Sequence, residues 1–361
     1  MRPRSSHSSF ERLSLACRVA LTGEGLAAWR EATASTPDWQ ALLEAARAER
    51  VGPLLAHACE RAELPDGPPV PEEVRAALRR EHLVTAGKAA ILAEAASRLL
   101  AAFARAGLPV IALKGLALAE TVYPNPALRP MEDLDILVRT GDLPAAVRIL
   151  TEAGYREAWH GFPDFQQADG LVDVDLHTAL LHEGEIPTRL GAQAIATDEL
   201  WAAAQLATIA GVSGLILSPS HQLLHLCQHL CYHHGLSGLL RHADILALAT
   251  RHPEVLAADR LEPLAAGRPG RRALFHALSS CERRLDMPLP PGMLRVLRPA
   301  DLSWMEERLH GREAAPDTGA AGLVRYYLLL RSLPTRRQRL RLLWELGGAW
   351  WRRGRTAAPR A

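Results

Sequence analysis

The chain has 361 residues, 48% hydrophobic and 23% charged, with a formal net charge of +2. This length allows two or three domains, the composition is that of a globular protein, and the charge gives no overall polyanion-binding character. Five cysteines at irregular spacing (17, 59, 227, 231, 281) argue against a secreted disulfide framework. The basic N-terminus is interrupted by Glu11 and Arg12, so it does not read as a signal peptide. No apolar run reaches the roughly 18 residues of a membrane span, and a cytoplasmic location is the default expectation.

In chain order, residues 8–105 read as helices, since Ala, Leu and Arg dominate and are strong helix formers. "WQALLEAARAERVGPLLAHACERA" repeats apolar residues at three- and four-residue steps, as a helix with one buried face does. "ELPDGPPVPEEV" is a proline-rich break. Pro71, Glu72 and Glu73 then open a long helix that Gly107 stops.

The pattern changes at Pro109. "PVIALKG" predicts a short buried strand, "LALAETVY" a helix, "LDILV" a strand, and "DLPAAVRILTEAG" a helix with Gly154 past its end. "YREAW" and "LVDVDLHTAL" predict two more strands. From Thr197 onward the sequence reads as helical again, including "SPSHQLLHLCQHLCYHHG" with Ser218 as its cap, then "LLRHADILALATRH". The expected fold is α+β: a small mixed sheet flanked by N-terminal and C-terminal helical regions. The expected divisions are residues 1–105, 106–195, 196–333 and a basic Trp/Arg-rich tail, 334–361.

Strand side chains alternate between faces. Asp133 and Asp135 therefore share one face, with Leu134 and Ile136 on the other. Asp173, Asp175 and His177 repeat the device. Should the two strands be neighbours, their carboxylates converge, and such a cluster repels itself unless protons or cations compensate it. Mg²⁺ with oxygen ligands is the usual compensation. Lys114 and Gly115 sit at a strand-to-helix junction, where backbone approaches a ligand closely and a helix N-terminus presents free N–H groups to phosphate. Arg129 precedes the acidic strand and is suited to phosphate oxygens. Acids for metal and cations for phosphate together predict phosphoryl or nucleotidyl transfer.

Each residue also has a plainer reading. Asp133 and Asp135 could line a solvated edge strand. Lys114 could snorkel from a strand end. Arg129 could pair with Glu132 or a site carboxylate, and His177 could serve only to orient a neighbour. His221, His225 and His229 fall at four-residue steps, as do Cys227 and Cys231. The two sets point differently, so a helix packed on the α/β block is favoured over a zinc site. Arg241 and Asp244 are weak candidates for reaching the pocket from the next helix. The tail, with Trp344, Trp350 and Trp351 among arginines, could touch nucleic acid or a membrane surface; a solvated last helix is the favoured reading.

The ordered set "ALKGLAL…YPNPALRPMEDLDILV…GY…VDVDLH" resembles the uncharacterised nucleotidyltransferase family of the DNA polymerase β-type superfamily. "SPSHQLLHLCQHL" and "RHADI" resemble its helical C-terminal half, and the likeness spans roughly residues 85–250. The resemblance implies that Asp133 and Asp135 bind catalytic Mg²⁺, that Asp175 is the third acid with Asp173 its rival, and that a two-metal site works on an NTP. Lys114, Gly115 and Arg129 would then meet the nucleotide. Many superfamily members carry a Gly-Ser pair after the first strand; here Leu116 follows Gly115. The implied activity is transfer of NMP from NTP to an unknown acceptor, whether peptide, protein, RNA or small molecule. The alternative is a degenerate nucleotide- or partner-binding module of the same fold.

Overall fold

The computed structural model describes residues 7–34, 38–62, 70–158, 164–180, 195–309 and 319–356. Among them, seven strands form one mixed sheet: β1 (Ile111–Ala112), β2 (Asp133–Leu137), β3 (Tyr155–Glu157), β4 (Asp164–Gln167), β5 (Asp173–His177), β6 (Gln205–Ile209) and β7 (Val212–Ile216). Their order is β3-β4-β5-β2-β1-β7-β6. β2 runs parallel to β5, and β1 parallel to β7; the other pairings are antiparallel.

The sheet separates two apolar cores. Ala112, Leu134, Ile136, Val174 and Leu176 pack with Leu92, Leu99 and Phe103 of the long helix Glu72–Arg105 and with Ala146 and Leu150 of Leu143–Glu152. The long helix starts as its sequence requires, with Pro71 at the cap and two glutamates in the first turn, and Gly107 follows its end at φ 67°. Ile111 and Leu137, on the opposite face, join the second core, which N-terminal and C-terminal helices share. The acids of β2 and β5 therefore stand at the mouth of that second layer.

Two expectations are corrected. The segment from Trp39 is two helices, Trp39–Ala48 and Gly52–Ala62, because Arg50 turns the chain at φ 59°. Residues after Thr197 are not helical throughout: Gln205–Ile216 is a hairpin whose β7 extends the sheet beside β1. Its turn residues, Ala210 and Gly211, have φ 48° and 76°, the geometry of a type I′ turn. Alanine is a poor signal for that turn, so the hairpin does not announce itself.

The remaining helices include Pro219–Tyr232, Leu239–Arg251 and Arg268–Leu285, which pack together. Ser218 caps the first of them, accepting a hydrogen bond from the His221 N–H. All five cysteines are buried thiols. Burial of Cys227 and Cys231 pushes both well above the ordinary thiol range, which fits core residues and not ligands. The last helix, Arg336–Thr356, exposes Trp344 at 80%; the side chains of Trp350 and Trp351 lie outside the described residues. Among the described residues no helix is long and apolar enough to cross a membrane.

Candidate active site

Registration of β2 on β5 builds the site. Asp133 lies opposite Asp173, and Asp135 opposite Asp175; β4 adds Asp164 opposite Asp175 from the other side. Asp133, Asp135, Asp164 and Asp175 line a cleft of about 440 Å³. Lys114 and Gly115 contribute from the junction after β1, and Leu226, His229, His233, His234 and Arg241 form another part of its wall. The size suits a small-molecule site.

Asp135 is the hub. It is 3% exposed, and its Oδ1 accepts hydrogen bonds from Lys114 Nζ at 2.5 Å and from His177 Nε2 at 2.8 Å. Burial opposes its charge, but the Lys114 ammonium and the His177 hydrogen bond outweigh burial and hold its carboxyl far below the usual range. The same pairing outweighs burial at Lys114 and raises the ammonium's pKa. His177 is 1% exposed. Burial, then the nearby ammonium, push its pKa down, so neutral imidazole with the proton on Nε2 matches the hydrogen bond it gives.

The other acids are set differently. Burial, followed by repulsion from Asp135, raises Asp133 to about 6. Burial and then Asp135, Asp133 and Asp164 raise Asp175 to about 7. Asp173 is not part of the cleft wall; Gln166 Nε2 donates to its Oδ1 at 2.9 Å. One ligand atom from each of Asp135, Asp175 and His177 lies within 4.8 Å of the others, and this is the group among the described residues that could hold a metal ion. Asp133 lies in the same cleft but outside that group.

A carboxyl whose pKa is raised by folding favours the fold below its ordinary pKa near 4 and loses that contribution as the pH rises through 6 to 7. Buried histidines such as His234, pushed down to about 2, act oppositely below pH 6.5. The difference between wild type and Asp175→Asn isolates the carboxyl. In EDTA, wild type is expected to lose stability relative to Asp175→Asn from about pH 4 to pH 7. Thermal melts across that range measure it; a constant difference would show that Asp175 titrates normally.

Arg129 and Gly115 both line the cleft, and Arg129 is held there by a buried partner. Arg129 is 9% exposed, with Nε donating to Asp244 Oδ1 at 2.9 Å and Nη2 to Oδ2 at 2.8 Å. Tyr123 donates its hydroxyl to the same Oδ1 at 2.7 Å. Glu132 instead meets Arg50 Nη2 at 3.1 Å. A Cβ on Gly115 would lie 2.7 Å from Arg129 Nη1, so the missing side chain makes room for the guanidinium. Leu116 is 2% exposed and belongs to the core. Replacing it with serine is expected to cost about 2–5 kcal/mol as a core truncation, read by urea denaturation.

Arg241 and Asp244 do reach the cleft from the next helix; Asp164, Arg50 and the pairing of Asp244 with Tyr123 and Arg129 are the parts of the site that strand and motif reading does not supply. "PDFQQ" lacks strong alternation, and the partner of Arg129 is 115 residues away. The helix Pro219–Tyr232 packs mainly on the helices Leu239–Arg251 and Arg268–Leu285, with Leu223 and Leu224 in the core that Ile111 and Leu137 share, and its end brings His229 and the following His233 and His234 to the cleft. Burial and the Lys114 charge push His229 well below its ordinary pKa, so this wall is an uncharged one there.

No curated protein matches the chain. Residues 35–286, well over half of it, match the model of a protein family described as an uncharacterised nucleotidyltransferase, and the chain belongs to that family.

Proposed function

We propose that the protein is a metal-dependent nucleotidyltransferase that moves NMP from an NTP to an acceptor nucleophile. The observation that carries this reading is the β2–β5 register, which sets Asp135 and Asp175 side by side in a cleft with Asp133, Asp164 and Lys114. The residues fit a divalent ion: two carboxylates and an imidazole offer ligand atoms within 4.8 Å of one another. Bound there, the ion would supply Lewis-acid stabilisation of charge on the α-phosphate and acidify the attacking group.

The chain's own residues supply the rest. Lys114 offsets negative charge at the acids beside the reacting phosphate. Arg50, Arg129 and Arg241 line the cleft and would meet the outer phosphates. Asp175, paired in register with Asp135 beside the ion's place, is the carboxylate suited to take the acceptor's proton. The acceptor oxygen forms a bond to the α-phosphorus, the bond from that phosphorus to the bridging oxygen breaks, and pyrophosphate leaves. The proton passes from acceptor to Asp175 and then to solvent.

The second reading is a binding module without turnover. It is favoured by one observation: Arg129 is paired with Asp244, which engages two of its three guanidinium nitrogens. Incubation with each α-labelled NTP, a divalent ion and cell extract separates the readings. Transfer of label to an acceptor, lost in Asp133→Asn, supports the enzyme. Nucleotide binding with no labelled product in any extract supports the module.

A further inference from the structure

We propose that the nucleotide-free protein holds a single divalent ion, on Asp135, Asp175 and His177, and that the Lys114 ammonium occupies the place of a second cation beside Asp133 and Asp135. This deepens the transferase reading and rests on it for its meaning, but it concerns the site's cations alone.

Three observations point this way. The ligand atoms that converge belong to two carboxylates and one imidazole, and Asp133, only two residues before Asp135, is outside their group. Lys114 Nζ lies 2.5 Å from Asp135 Oδ1, and both Asp133 and Asp175 attract it further. One ion is offset by the carboxylates of Asp135 and Asp175, but a second would meet both that ion and the ammonium as like charges at close range in a poorly screened site. Finally, Lys114 has φ 36°, a left-handed conformation that is strained for a residue with a side chain. It occurs at the residue that aims a cation at the acids, where a glycine would relieve the strain but remove the charge.

Asp135 remains able to serve the ion. Its Oδ1 is taken by Lys114 and His177, while no described residue donates to its Oδ2. His177 becomes a ligand when its Nε2 gives up the proton it now shares with Asp135, the ring taking the other tautomer. A donor set with an imidazole nitrogen follows the transition-metal affinity order more than an all-oxygen set does. Mn²⁺ is therefore expected to bind more tightly than Mg²⁺, which favours oxygen ligands and retained water.

The test is a Mn²⁺ titration of the full chain, without nucleotide or acceptor, read by electron paramagnetic resonance. The expected result is one tightly bound Mn²⁺ per chain, with nitrogen coupling from His177 in the pulsed spectrum. Lys114→Met is expected to gain a second bound Mn²⁺, and Lys114→Arg to stay at one. His177→Gln should lose the nitrogen coupling and weaken Mn²⁺ roughly tenfold or more. Two ions in wild type, none, or one without nitrogen coupling would overturn the proposal, as would a folded Lys114→Met that still binds one. The wild-type count and coupling decide the matter even where a variant fails to fold, as judged by circular dichroism. One Mn²⁺ with no NMP transfer sinks the transferase reading alone; two Mn²⁺ with transfer sinks this inference alone.

Discussion

Asp135→Asn is expected to reduce nucleotidyl transfer by about 10³-fold, the scale set by losing a preorganised charge at a transition state. It should also destabilise the fold, and the reason lies in the same two contacts. Lys114 and His177 both donate to one buried carboxylate oxygen. Removing the carboxylate charge leaves the Lys114 ammonium buried without its main compensation, a loss of about 3–5 kcal/mol for a broken buried pair. Pairing the change with Lys114→Met removes the stranded charge, so the double variant should recover part of that stability and none of the activity. Urea denaturation and a transfer assay run on folded protein separate the two effects. An Asp135→Asn protein with wild-type turnover would remove Asp135 from the chemistry.

Arg129→Met is expected to cost about 3–5 kcal/mol of stability, because it strands Asp244. That carboxylate accepts two hydrogen bonds from Arg129 and one from Tyr123, and Arg129 and Asp244 join the segment before β2 to the helix Leu239–Arg251. Arg129→Lys should rescue little, since an ammonium cannot reproduce the two-pronged contact. Asp244→Asn should fall between, keeping acceptor oxygen but losing charge. The urea midpoints of the three variants measure the order. A stable Arg129→Met whose NTP affinity alone falls would show that Arg129 acts by binding phosphate and not by holding Asp244.

The contrast between Asp135 and Arg129 shows which features a sequence exposes. The acids were legible because strand alternation is local: two charges spaced by one residue in an apolar run must share a face. Their convergence was legible only as a condition, that the two strands be neighbours, because it depends on β5 lying parallel to β2 after an excursion through β3 and β4. Lys114 was legible as a cation at a strand end, but not as the partner of Asp135, 21 residues away. Gly115 reads from sequence as a place for close approach, which it is; the group that approaches is the guanidinium of Arg129. The role of Arg129 itself hung on Asp244, in a helix whose docking no local pattern encodes. The hairpin Gln205–Ile216 went unread because Ala210 occupies a left-handed turn position that asparagine or glycine normally marks. His177 was legible as a member of the acidic face, and only the folded register shows it touching Asp135.

The most direct measurement compares NTP labelled at the α-phosphorus with NTP labelled at the γ-phosphorus, in the presence of Mn²⁺ or Mg²⁺ and an acceptor-containing extract. Label from the α position should appear on the acceptor and label from the γ position in free pyrophosphate, both abolished by EDTA and by Asp135→Asn. Transfer of the γ label to the acceptor, or undiminished α transfer in EDTA, would contradict nucleotidyl transfer by the acids of β2 and β5.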